Sequence, residues 1–318
     1  MIIREKTLWT PDNSFLLEYR ARAESGEIII GQELGQELEN LYEDFHNDRY
    51  FYNTDTANLR MDFMEHCVRL TKSPFYNQPM VLMLWQKAWI EALYSFKMAD
   101  TGFDRFKKTI LLISRKNTKS ETSSALALSE FVTGNEGADI CCSSNDDTQA
   151  SLVYDAIDTM RMLIDPNDLD TKRNQRFILN KTTNTKVFKM SDRTKNKEGR
   201  NIDFAIVDET HEMKENVIGK SIEQSQSLKD NPKFINITTE GFVVDGYLDD
   251  ELKKARAVIN REDTGIAGER LLPWLYTQDS ELEVWQGDRE NRLWMKSNPT
   301  LGIVKKWEYL EEQVDMAR

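Results

Sequence analysis

Apolar residues along the chain keep three successive rhythms. Up to about residue 72 they recur at helical spacing in a polar, acidic background, as at Leu38, Leu41, Tyr42 and Phe45 and again at Leu59, Phe63, Cys67 and Leu70. This spacing predicts two or three surface helices packed on a larger body. From Pro74 the texture thickens: Met80–Phe96 has the pattern of an aromatic-rich helix, and Lys107–Ser114 is a short apolar run ending in a polar turn. Helix and strand patterns then alternate. Glu121–Thr133 reads as a helix, Gly137–Ser143 as a strand, Asp146–Ile164 as a long helix, Arg176–Asn180 with Lys186–Met190 as a hairpin, and Asp203–Val207 and Lys233–Thr238 as further strands. Short unbroken apolar strands separated by helices predict an α/β fold, a mostly parallel sheet with helices on both faces. The pattern places this core at residues 73–258, after a helical N-terminal extension over 1–72. Residues 259–318, rich in Trp and charge, with a turn at Asn298-Pro299 and a closing helical pattern from Trp307, read as a small C-terminal linker subdomain.

Composition narrows the class. Of 318 residues, 39% are hydrophobic and 30% charged, enough apolar material for a sizeable core and too much for a disordered chain. The longest apolar runs, such as Val81–Trp85, fall far short of the ~20 residues that cross a bilayer. Met1–Thr10 carries Arg4, Glu5 and Lys6 without the apolar stretch of a leader, so the expected location is the compartment of synthesis, a reducing cytoplasm. The three cysteines fit that compartment and are expected to be small buried hydrophobes. A net charge of −12 excludes a whole-surface electrostatic grip on nucleic acid. One stretch departs from it: Thr171–Arg200 holds ten Lys or Arg against Asp192 and Glu198, which is read either as a DNA contact or as a solvated hairpin.

Two constellations carry chemistry. In the first, the run Thr109–Ile113 enters a polar loop, Ser114-Arg-Lys-Asn-Thr118, and then a helix beginning near Lys119-Ser120. A loop feeding a helix N-terminus aims backbone N–H groups and the positive end of the helix dipole at an anion. Lys119 then reads as the phosphate lysine and Ser120 as a Mg²⁺-binding hydroxyl. Against the pattern G-x-x-x-x-G-K-S/T, both glycines are replaced, by Ile113 and Thr118, and a left-handed backbone at a β-branched residue is disfavoured. The plain alternative is a charged β–α loop. In the second constellation, the strand pattern from Ile202 ends in Asp208-Glu209. At the tip of a strand neighbouring the phosphate loop, Asp208 would hold Mg²⁺ and Glu209 would orient the attacking water. Alone, this reads equally as an acidic turn; His211-Glu212 lacks the second histidine of a zinc helix.

These residues resemble phage large terminases. The loop is similar to that family's variant pattern S/P/A-R-K/Q-x-G-K-S/T, with Arg115 in the early arginine position and Thr118 in place of the glycine. Asp208-Glu-Thr-His211 is similar to the family's D-E-x-H, and Asn236-Ile-Thr-Thr-Glu-Gly241 to its Thr-rich coupling motif. Pro74-Phe75 through Trp85-Gln86 resembles the upstream segment in which a glutamine reads adenine. Ala138–Ser143 with Asp147-Thr-Gln-Ala150, and Trp294-Met-Lys-Ser-Asn-Pro-Thr-Leu-Gly302, resemble stretches after the loop and before a nuclease domain. Trp85, Gln86, Thr238 and Thr239 also read as an ordinary helix face and strand end.

The resemblance implies a RecA-like (ASCE) P-loop ATPase with ATP and Mg²⁺ as cofactors. Trp85, Gln86 and Ser114 through Ser120 would bind nucleotide, Ser120 and Asp208 the metal, Glu209 and Arg115 would serve catalysis, and Thr238 and Thr239 coupling. It also implies double-stranded DNA, a portal protein, a small terminase subunit and a homo-oligomeric ring as partners, in the host cytoplasm. Arg193 and Arg200 are candidates for an arginine donated between subunits. The nuclease of the family is expected outside these residues. Two other readings stay open: a helicase-like translocase, which would need a second RecA-like domain, and a non-hydrolysing nucleotide-binding scaffold.

Overall fold

The computed structural model of the chain describes residues 8–191, 200–241 and 243–318. Three helices lead, α1 (Phe15–Glu24), α2 (Gln32–Asp44) and α3 (Asp55–Cys67), with a short strand β1 (Tyr50–Tyr52) between the last two. Next come α4 (Leu84–Ser95), β2 (Phe96–Met98), β3 (Lys108–Leu112), α5 (Lys119–Thr133), β4 (Asp139–Ser144) and α6 (Asp147–Ile164). A small β-rich stretch holds β5 (Thr171–Arg173), β6 (Ile178–Asn180) and β7 (Lys186–Ser191), followed by β8 (Ile202–Asp208), α7 (Val217–Ser225), β9 (Lys233–Thr238) and α8 (Tyr247–Ile259). The chain closes with α9 (Ile266–Glu269), β10 (Leu271–Leu275), α10 (Glu281–Gln286) and α11 (Trp307–Ala317).

Eight strands form one sheet in the order β10-β3-β9-β8-β4-β7-β6-β5. The first six run parallel, and the β7-β6-β5 end is antiparallel. The apolar runs are unbroken because both faces are covered. Leu111 on β3 and Ile113 just after it face the core built with α4, α5 and α6, while Ile110 and Leu112 face the layer of α8. On β8, Phe204 and Ile206 join the first core, and Ala205 and Val207 pack with α7 residues Ile218 and Ile222.

The structure corrects four expectations. β10 pairs with β3 from Leu271↔Lys108 to Leu275↔Leu112, so the sheet extends beyond the boundary drawn at residue 258. Its five residues include Pro273, whose missing N–H an edge strand tolerates, and they do not alternate; both hide the strand from pattern reading. Second, β9 lies between β3 and β8, so the phosphate-loop strand and the acidic strand are not neighbours. Third, the helix expected from Met80 starts at Leu84, because Met80 donates its N–H to Val68 O at 3.0 Å in an extended segment. Finally, Cys67 is exposed at the end of α3, whereas Cys141 and Cys142 are buried on opposite faces of β4. The N-terminal helices share the first core, with Leu16, Leu38 and Met61 packed in the same cluster as Trp89 and Trp274. Among the described residues no helix is long and apolar enough to cross a membrane.

Candidate active site

The site forms where β3, β9 and β8 end. Ile113 donates its N–H to Thr238 O at 3.1 Å, and Glu209 donates its own to Ile237 O at 3.2 Å. β9 is thus the spacer that fixes the distance between loop and acids. The loop from Ser114 to Thr118 then turns into α5. Thr118 is the N-cap at φ 63°, ψ 11°, a left-handed conformation, and makes no side-chain cap. The first N–H groups of α5 therefore remain open to an anion. Lys116 also has positive φ, 68°. The glycine position is left-handed here although a threonine fills it, at a cost of about 1–2 kcal/mol.

Lys119, Ser120, Asp208 and Glu209 come together. Lys119 Nζ lies 2.5 Å from Glu209 Oε1 and 3.4 Å from Asp208 Oδ1. Ser120 Oγ donates to Asp208 Oδ2 at 3.0 Å. Burial pushes the Asp208 carboxyl above its ordinary range, against the pull of Lys119. Burial acts the same way on Glu209, but there the His211 ring nitrogen 3.0 Å from Oε2 and the charge of Lys119 outweigh it and hold the group down at about 2. Glu209 itself sits at φ 55°, ψ 43°. Strained, left-handed backbone at a non-glycine residue persists only where its surroundings hold it, and here the ion pair with Lys119 and the β9 hydrogen bond do so.

His211, the last member of the acidic tetrad, ties this carboxylate to the Thr-rich motif. Its Nδ1 is 3.0 Å from Glu209 Oε2 and 3.3 Å from Thr238 Oγ1, and its N–H donates to Thr238 Oγ1 at 3.2 Å. Thr239 Oγ1 stands 3.5 Å from the same ring nitrogen. Gly241 has a steric reason: a Cβ there would come within 2.5 Å of the His211 ring.

Other predicted residues are placed differently. Trp85 is buried edge-on against Tyr276. Gln86 is 3% exposed, with its Oε1 accepting from Met83 N–H at 2.7 Å and its Nε2 donating to Thr122 at 2.6 Å and Thr118 at 3.2 Å. Both ends of the amide are hydrogen-bonded, which ties Gln86 to Thr118 of the loop. Asn117 is fully buried, and its side chain bonds Ser114, Asn298 and Thr300. Arg115 and Lys116 are exposed and form no ion pair among the described residues. Arg193 lies outside the described residues. Arg200 is exposed, stacks over the Phe188 ring at 4.4 Å, and precedes β8, at the opposite end of that strand from Asp208. Within its own chain it is remote from the loop.

The sequence reading missed Asn298, Thr300 and Lys305, which reach the loop from the C-terminal stretch. Thr300 donates through its N–H at 3.1 Å and its Oγ1 at 2.7 Å to Asn117 Oδ1, and Lys305 Nζ donates to Asn298 Oδ1 at 2.5 Å. The resemblance noted around Asn298-Pro299 was the one available signal.

A cluster of oxygen donors beside an open helix N-terminus and a lysine suits a triphosphate with a hard cation. Mg²⁺ keeps several waters and takes one or two protein oxygens beside the phosphates, and Ser120 Oγ with Asp208 supply that donor set. Comparison with known proteins agrees in kind. The family described as "Terminase large subunit, ATPase domain" matches residues 84–257. The terminase large subunits of Lactococcus phage p2 and Lactococcus phage SK1 are each 24% identical over 315 residues, covering 95% of this chain and 55% of theirs. The chain thus spans about half the length of the curated relatives it matches. The HK97 bacteriophage large terminase has the same fold, with a TM-score of 0.67 over 82% of this chain and 51% of that chain, at 21% identity. Since the family match takes in more than half of the chain and contains every one of the four converging residues, this protein belongs to the terminase large subunit family, through its ATPase domain.

Proposed function

We propose that the chain hydrolyses Mg-ATP as the motor part of a machine that packages double-stranded DNA. The observation that carries this reading is the convergence of Lys119, Ser120, Asp208 and Glu209 at one end of the sheet. Lys119 and the open N–H groups of α5 would bind the phosphates, with the exposed Arg115 adding positive charge from the loop. Ser120 and Asp208 would hold Mg²⁺, which when bound neutralises charge on the phosphate oxygens. Phosphoryl transfer asks the protein mainly for positioning and charge stabilisation. Glu209 is ionised and takes the role of orienting and polarising the attacking water. The Lys119–Glu209 pair is a resting arrangement, because phosphate oxygens compete for the same ammonium and free the carboxylate to meet water. His211 keeps hold of Glu209 and relates its position to Thr238 and Thr239.

By family membership, the proposed partners are DNA, a portal protein, a small terminase subunit and further copies in a ring, in the host cytoplasm. Arg200 and Arg193 remain candidates for completing a neighbour's site, and the remoteness of Arg200 from its own loop is what such a role requires. Phosphate release from Mg-ATP tests the reading, with Lys119→Ala and Glu209→Gln as controls. A chain that binds Mg-ATP and releases no phosphate, alone or assembled, would instead be the non-hydrolysing scaffold.

A further inference from the structure

The phosphate loop lacks glycine at both pattern positions, yet it makes a left-handed turn at Thr118 into α5 and leaves the helix N-terminus uncapped by a side chain. What fixes it comes from the far end of the chain. Asn298 Oδ1 accepts from three donors: Ser114 Oγ, Asn117 Nδ2 at 3.2 Å and Lys305 Nζ at 2.5 Å. Its own amide nitrogen donates to Trp294 O at 2.9 Å, which sets the direction of the oxygen. Asn117 in turn donates to Ser114 Oγ at 2.8 Å and accepts both hydrogen bonds from Thr300. Lys305 also donates to Ser114 Oγ at 3.3 Å. Asn117 and Thr300 have no exposed surface, and Asn298 is 4% exposed. Lys305 is 9% exposed and has no carboxylate partner among the described residues. An ammonium buried against neutral oxygens is costly, and burial pulls its pKa down to about 8.

We infer that Asn298 and Lys305 are positioning residues for nucleotide binding: from behind the phosphate loop they hold Ser114 and Asn117 in the shape that admits a triphosphate, and so couple that loop to the segment entering α11. This rests on the ATP-binding reading above. The loop has left-handed residues that glycine would adopt freely; here the buried network supplies the constraint. Coupling is reciprocal: if the tail shapes the loop for ATP, bound ATP tightens the tail. Removing the Asn298 oxygen takes an acceptor from three donors at once, and leaves the charged one, Lys305, with only its longer bond to Ser114 Oγ at 3.3 Å; an under-satisfied buried donor is expensive.

The experiment measures Mg-ATP affinity and tryptic cleavage at the exposed Lys306 in the 318-residue chain and its variants. Asn298→Ala and Asn117→Ala are each expected to bind Mg-ATP about tenfold more weakly, and the double variant no worse than either single, since they act as one unit. Lys305→Met weakens binding and Lys305→Arg restores it. Saturating Mg-ATP slows cleavage at Lys306 in the unaltered chain and does not do so in Asn117→Ala. Thermal unfolding shows which variants fold; if Asn298→Ala does not, the pair Lys305→Met and Lys305→Arg decides. Folded variants that bind Mg-ATP like the unaltered chain, or cleavage at Lys306 indifferent to Mg-ATP, overturn the brace. An unaltered chain that fails to bind Mg-ATP overturns the functional reading itself, and the brace with it.

Discussion

The two ends of the sheet carry charge clusters of opposite design. At the carboxyl ends of β3 and β8, one lysine, Lys119, faces two carboxylates, Asp208 and Glu209. At the amino ends of β3 and β9, one carboxylate, Asp104, faces two lysines, Lys97 and Lys233. The second cluster is closed: Lys233 lies 2.8 Å from Asp104 and also donates to Phe106 O at 2.6 Å and Leu93 O at 3.3 Å. Carbonyl oxygens absorb its surplus positive charge. The first cluster keeps a surplus of negative charge, three left-handed non-glycine residues in and beside it (Lys116, Thr118 and Glu209) and an uncapped helix N-terminus. A charge cluster at the sheet's edge therefore means different things at its two ends, since one end is finished and the other is completed only by a cation and an anion from outside.

The comparison is broken most severely by removing members of the open cluster. Lys119→Ala should abolish tight Mg-ATP binding, because the lysine meets ground-state phosphate charge. Glu209→Gln should keep binding and lose hydrolysis by about a thousandfold or more, because the carboxylate acts mainly in the transition state. Substantial turnover by Glu209→Gln would remove it from the proposed role.

The closed cluster should respond in stability alone. Asp104→Asn leaves two buried ammonium groups without their counter-charge, which costs about 3–5 kcal/mol. Denaturant titration reads the loss, while ATP turnover per folded molecule should stay as it was. An activity loss in the folded fraction would mean that the amino end of the sheet communicates with the site.

These contrasts show where the chain was legible. Lys119-Ser120 and Asp208-Glu209 are local patterns, each set by one strand running into one turn, so sequence order alone brings them to the same edge. The alternation of short apolar runs and helices likewise exposed β3, β4, β8 and β9, because a doubly covered strand must be apolar throughout. What stayed hidden is non-local. Nothing near Asp104 announces Lys233, nor does Asn117 announce Asn298, since each pair meets only after the sheet has formed. The ties of Gln86 were hidden for the same reason: its residue type suits an adenine edge, and nothing near it announces the bonds of its amide nitrogen to Thr118 and Thr122.

A third case sharpens the point with pH. Glu37 on α2 is buried with no ion-pair partner among the described residues, and burial pushes its carboxyl up to about 8, only partly opposed by Arg105 and Asn40. A raised folded-state pKa contributes stability that is present below the unfolded value near 4.5 and lost as pH rises through about 8. Between pH 5 and pH 8 this is worth on the order of 3 kcal/mol. Glu37→Gln should flatten that part of the profile and match or exceed the unaltered chain at pH 8. A profile equally steep in the variant would assign the dependence to another group.

The smallest effect tests whether strain in the open end is stored at Thr118. With φ at 63°, its backbone costs about 1–2 kcal/mol relative to a right-handed one. Glycine removes that cost but loses more chain entropy on folding, roughly 0.5–1 kcal/mol. It also forfeits the Thr118 Oγ1 acceptor, a small loss because Gln86 keeps its shorter bond to Thr122. Thr118→Gly should therefore raise stability by no more than about 1 kcal/mol, whereas Thr118→Ala, which keeps a Cβ at the same backbone angle and loses the hydroxyl, should lower it slightly. Equilibrium unfolding of the two variants side by side separates backbone from side chain. If glycine destabilises more than alanine does, the entropy it loses on folding exceeds the strain relieved at this backbone angle, and the left-handed turn is not a cost the buried network sustains.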